Sequence, residues 1–107
     1  MSDHNTPAWY NYLKEKYPEF IKSVEKMGKT ARQEGPLKEK FLQLIQLGGA
    51  AAIRSEGSVH SHVRRALEAG ASKDEIFHAL IALTSTIGFP NVAAALNWAE
   101  EEINKQS

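Results

Sequence analysis

The sequence predicts an all-α fold of about six helices, and three observations point there. Strand signals are nearly absent. Apolar residues recur at helical spacing from Phe20 to Ile103. Helix punctuation is frequent: Pro7 and Pro18 fit a first turn, Gly70 fits the residue after a helix end, and Ser72-Lys73-Asp74-Glu75 reads as a capping box.

The first helix is expected from residue 7 to about 16 and the second over 18–33. In the second, Phe20, Ile21, Val24 and Met27 are expected to face inward, with Gly28 weakening its middle and Gly35-Pro36 ending it. A third helix is expected from residue 37 to about 53, with Leu37, Phe41, Leu44, Ile45, Gly48 and Ala52 along one face. Its GGAAA run at 48–52 is unusual, because each Gly costs ~1 kcal/mol relative to Ala in a helix. A tight helix crossing is the expected compensation.

The fourth helix should start near Ser55 and end at Gly70. The fifth, capped by Ser72, should carry Ile76, Leu80, Leu83, Thr84 and Ile87 on one face, with Phe77 and Ile81 beside it, and break at Gly88-Phe89-Pro90. The sixth is expected from residue 90 to about 104, with Val92, Leu96, Ala99 and Ile103 apolar, Trp98 to the side, and a frayed end at 104–107. From Ile76 to Ala99 these last two helices are apolar nearly all round. A 107-residue monomer covers two such helices with difficulty, which predicts a homo-oligomer.

Composition bounds the function. One domain over 1–107 is expected, with a single core. Thirteen basic and thirteen acidic residues cancel without a basic stripe, so nucleic acid is a poor partner. No apolar run is long enough to span a membrane, and the N-terminus MSDHNTPAWY lacks the pattern of a secretory signal, which makes the cytoplasm the expected location. There is no cysteine, so disulfides, thiolate nucleophiles and cysteine-ligated metals are excluded.

The stretch RSEGSVHSHVRRALEAG, residues 54–70, concentrates the chemistry. Ser55, Ser58 and His62 are spaced i, i+3, i+7 and share one helical stripe. His62 falls among Val59, Val63 and Ala66, toward the core, where a hydrogen-bonded structural histidine competes with a catalytic one. A Ser-His hydrolase would need an orienting acid and an oxyanion hole, and neither is identifiable. Ser55 is well placed as an N-cap with Glu56 in the first turn, and Ser58 at N3 lies near unpaired backbone N–H groups that favour an anion. His60, with Glu56 and Arg64 at i±4, reads as part of a solvated polar face, as does His78 with Asp74. His60 and His62 point about 200° apart, so no shared metal site is expected, and no cofactor.

These residues resemble a known signature. SEGSVHSHVRRALEAGASKDEIFHAL is similar to the motif of the carboxymuconolactone decarboxylase and alkylhydroperoxidase D-like superfamily, whose redox branch reads C-x-x-C-x-x-x-H followed by A-L-x-x-G-A-S-x-x-E-I. Ser55 and Ser58 take the two cysteine places and His62 the histidine place; Ala66, Leu67, Gly70, Ala71, Ser72, Glu75 and Ile76 match downstream. The family glutamate followed by Leu-Ile corresponds to Gln43-Leu44-Ile45, and Gly88-Phe89-Pro90 with the Ala-rich helix also fits. The resemblance runs from about residue 37 to 99. It implies an alkylhydroperoxidase D-like helical fold assembling as trimers or hexamers.

The departures decide the chemistry. In the redox branch the cysteine pair does thiol–disulfide chemistry, with the glutamate and histidine relaying protons. Serine hydroxyls form no disulfide, and Gln43 carries no titrating carboxyl. Three of four relay positions differ, which closes a dithiol peroxidase mechanism. An alkylhydroperoxidase-like antioxidant reading holds only if the serines are engineered from cysteine; the accompanying change at Gln43, with Gly57 and His60 nearby, favours natural divergence. The decarboxylase branch resembles H-E-x-x-x-H-V-R-x-A; His62, Val63, Arg64 and Ala66 are kept, but Gly57 and Ser58 replace its His-Glu.

The expectation is therefore a family member with a non-thiol pocket walled by Ser55, Ser58 and Gln43. His62 would act there as general base or hydrogen-bond donor toward a small anionic molecule such as a carboxylate, in lyase-like chemistry or simple binding. A catalytically silent oligomeric scaffold or binding module is the alternative.

Overall fold

The computed structural model describes residues 6–106. They are helical apart from short connections, with no strand among them. The expected signal-free stretch at the extreme N-terminus, residues 1–5, and the last residue, Ser107, lie outside the described residues. The chain divides into two compact units, Met1–Pro36 and Leu37–Ser107.

The first unit is a helical hairpin of α1 (Ala8–Lys16) and α2 (Pro18–Gln33). Tyr17 ends one helix and caps the next, and Pro18 takes the first-turn position where its missing N–H costs nothing. Tyr10 donates its hydroxyl hydrogen to Glu25 Oε2 at 2.6 Å, and Lys14 Nζ lies 3.6 Å from the same oxygen, so one carboxylate ties the two helices. The expected inward stripe of α2 is only partly inward. Ile21 is buried, whereas Phe20, Val24 and Met27 are exposed. Two helices can cover only one face of each other, and on that face of α2 Ile21 is the fully buried residue.

The second unit holds α3 (Glu39–Ala52), α4 (Glu56–Glu68), α5 (Lys73–Ile81), α6 (Thr84–Ile87) and α7 (Phe89–Gln106). α3 packs along α4, α4 against α7, and α5 against both α3 and α7. Leu47, Ala50 and Ala51 of α3, Val59, Val63 and Ala66 of α4, Ala71 in the loop that follows, Ile76 and Leu80 of α5, and Ala95 and Ala99 of α7 form one buried cluster.

Two left-handed residues set the path around α4. α3 ends with Arg54 at φ 55°, where Ser55 N–H reaches Ala50 O (3.0 Å) and Arg54 N–H reaches Ala51 O (3.1 Å). α4 ends the same way at Gly70, φ 98°, with Ala71 N–H on Ala66 O (2.9 Å) and Gly70 N–H on Leu67 O (3.0 Å). This paired pattern satisfies the last carbonyls of each helix. Glycine adopts that backbone freely; arginine does so against a steric preference of ~1–2 kcal/mol. The Arg54 guanidinium hydrogen-bonds the side-chain oxygen of Asn91.

The capping box is present as expected: Glu75 N–H donates to Ser72 Oγ (3.0 Å), and Ser72 N–H to Glu75 Oε1 (2.9 Å). The bond from the Ser72 backbone, with Lys40 Nζ 3.1 Å from Oε2, holds the Glu75 carboxyl below its ordinary range.

Four expectations change here. The core face of α3 is Gln43, Leu47, Ala50 and Ala51, while Leu37, Phe41, Ile45 and Ala52 are exposed. The expected fifth helix is two, because the Thr84 hydroxyl donates to Ile81 O at 2.7 Å and draws the chain out of the α ladder at Ala82 and Leu83. The end of the last helix is ordered through Gln106, whose amide donates to Glu102 Oε2 at 2.7 Å. The GGAAA run makes no forced approach: a Cβ on Gly49 would meet nothing within 4 Å, and one on Gly48 would reach Leu83 Cδ1 at an ordinary 3.5 Å.

Candidate functional site around His62

α3 and α4 are neighbours, and their packing brings Gln43 and His62 together although nineteen residues separate them. His62 Nδ1 lies 2.8 Å from Gln43 Oε1. Gln43 is 1% exposed, so its amide must be satisfied inside the protein. It is: Gln43 Nε2 donates to Glu39 Oε2 at 2.5 Å, one helical turn back on α3. A chain of three side chains, Glu39–Gln43–His62, thus runs from an exposed carboxylate through a buried amide to a half-buried imidazole.

Ser55 and Ser58 are both half-buried at the start of α4, on the stripe that leads to His62. Ser55 occupies the N-cap position with extended backbone, φ −93° and ψ 96°, but its hydroxyl makes no capping bond. The structural explanation for that hydroxyl is therefore weaker than its position suggested. Ser58 sits at the third residue of α4, among the N–H groups that no preceding turn satisfies.

Glu39 is the site residue that sequence reading missed. It stands one turn upstream of the position where the family motif has its glutamate. A pair at i, i+4 was legible, but nothing marked Gln43 as buried and in need of a partner.

His60 also departs from expectation. Its side chain is only 20% exposed, and Nδ1 lies 2.9 Å from Glu102 Oε1, a carboxylate 1% exposed. Nε2 lies 3.5 Å from Glu101 and 3.8 Å from Glu56. The expected pair with Glu56 is present at the solvent edge, while on its other side the ring packs on buried Glu102 and so joins α4 to α7. Burial pushes the Glu102 carboxyl up, but hydrogen bonds from His60 and Gln106 and the nearby charges of Lys105 and His60 outweigh it and hold the group below its ordinary range. Glu102 continues the Val92, Ala95, Ala99 stripe at helical spacing, which was the available signal. Among the described residues, ligand atoms of Glu56, His60 and Glu101 lie within 4.8 Å of one another, and His62 is not in that group. His78 is exposed.

An open cavity of about 420 Å³ lies beside α3, lined by Lys38, Glu39, Lys40, Phe41, Ala69 and Gly70. It touches the outer end of the chain at Glu39; Ser55, Ser58, Gln43 and His62 are not in its lining. No helix among the described residues is long and apolar enough to cross a membrane.

An all-helical protein with a polar chain converging on one histidine of its central helix pair is the class these observations define. The model of the carboxymuconolactone decarboxylase family matches residues 18–101, and the chain belongs to that family. Among solved structures it is similar to the apo form of a carboxymuconolactone decarboxylase family protein from Legionella pneumophila, with a TM-score of 0.75 and 23% identity over 88% of this chain and 87% of that one. At that identity the likeness shows the fold. No curated protein matches the sequence.

Proposed function

We propose that this family member is a single carboxymuconolactone decarboxylase-like domain acting in the cytoplasm, with a non-thiol pocket around His62 that takes a small anionic molecule. The observation that carries the reading is the Glu39–Gln43–His62 chain. It holds a half-buried imidazole in one orientation through a buried amide that is itself anchored on an exposed carboxylate. Ser55 and Ser58 supply hydroxyls, and the start of α4 supplies backbone N–H groups and the positive end of its dipole, which together favour a carboxylate. With no cysteine, the chemistry open to the site is acid–base and lyase-like, with His62 accepting or donating the proton.

Oligomeric assembly belongs to the same proposal. Ile45, Ile53, Ile81 and Phe89 of the second unit are all more than half exposed, the surface a second copy would cover.

Calorimetric titration of a panel of small carboxylates into the wild type and His62→Ala tests the pocket. The expected result is binding of at least one carboxylate by the wild type and at least a tenfold loss in the variant. Equal binding by both, or none by either, would leave the silent scaffold as the better account.

A further inference from the structure

We propose that Glu39 is a positioning residue for His62, acting through the Gln43 amide to hold the imidazole proton on Nδ1. The inference rests on reading His62 as the acid–base group of the pocket, but its evidence is the donor and acceptor order along the chain. An ionised carboxylate only accepts hydrogen bonds, so Glu39 Oε2 at 2.5 Å selects the NH₂ end of Gln43. That choice turns the carbonyl end toward α4. An amide oxygen also only accepts, so the His62 nitrogen 2.8 Å away must carry a hydrogen. The neutral ring then has its lone pair on Nε2, which becomes the nitrogen that takes up and releases a proton.

The buried position of Gln43 makes the order strict. At 1% exposure no bulk water competes for the amide. Turning it over would set a carbonyl oxygen against the Glu39 carboxylate, losing that bond and facing two acceptors at 2.5 Å, even though the ring could move its proton to Nε2 and accept from the amide. Glu39 is itself held well, because it opens α3, where the positive end of the helix dipole favours a carboxylate. An amide cannot pass a proton along as a carboxylate in its place could. The chain therefore orients His62 without relaying, and Glu39 acts on the ring through the Gln43 amide.

Long-range ¹⁵N–¹H NMR of histidine-labelled protein reads the tautomer directly, with His62→Ala assigning the signals. In the wild type, with the ring neutral, the Nδ1-protonated pattern is expected. Glu39→Ala, with its fold checked by circular dichroism because it removes the partner of the buried Gln43 amide, is expected to shift most of the population to the Nε2-protonated form that free imidazole favours. A wild-type ring protonated on Nε2, or a Glu39→Ala spectrum identical to wild type, would overturn the proposal. The readout needs no ligand, so it separates from the pocket reading. The predicted tautomer without carboxylate binding removes only the pocket, and His62-dependent binding with the opposite tautomer removes only the role of Glu39.

Discussion

Gln43 shows how much one residue can hide. It is polar, stands on the core face of α3, and is satisfied at both ends of its amide by Glu39 and His62. A reader following apolar periodicity rotates the helix away from it, toward Leu37, Phe41 and Ile45, and loses the true core face. Glu102 repeats the pattern on α7, where a carboxylate ends an otherwise small and apolar stripe. Its lowered pKa has a definite sign. A group held below its unfolded value, ~4.3 for Glu, stabilises the fold above that value and stops doing so as pH falls through the folded value. Glu102→Gln should cost about 1–3 kcal/mol at pH 7. Urea unfolding of both proteins checks it, and the gap between them should narrow below about pH 4. A gap unchanged at pH 3 would deny the ionised pair its role. The opposite sign is expected at Gly49, where an added Cβ meets nothing within 4 Å. Gly49→Ala should stabilise by about 1 kcal/mol, read as a raised urea midpoint.

At the scale of elements, what sequence rules govern locally was legible, and what neighbours decide was not. The boundary at Pro18, the Gly70 helix end and the Ser72–Glu75 capping box depend on the chain within five residues, and all are present. Ser72→Ala should therefore cost about 1 kcal/mol, measurable by thermal unfolding. The split between α5 and α6 is also local, but a threonine hydroxyl turned back on Ile81 O is one of several things that residue does in helices. The pairing of His60 with Glu102 and of His62 with Gln43 joins different helices, 42 and 19 residues apart, and no periodicity encodes it. The stripe of Ser55, Ser58 and His62 was readable as a stripe; its partner across the α3–α4 packing was readable only at Gln43, through the family motif.

At the scale of the molecule, fold and family follow from the helix pattern and the motif, while the proposed assembly and activity would be carried by surfaces that sequence alone does not rank. If the exposed apolar residues are a subunit interface, light scattering should give a trimer or hexamer, and Ile81→Lys combined with Phe89→Lys should reduce the mass toward a folded monomer. A monomeric wild type would refute that assembly. The central claim is that the motif, stripped of sulfur, still frames a working pocket around His62. Its most direct test is a crystal structure grown with a saturating small carboxylate. The account predicts the carboxylate within hydrogen-bond reach of the His62 ring, beside Ser58 and the first N–H groups of α4. A His62 ring sealed by its neighbours, with no space or density beside it, would contradict it.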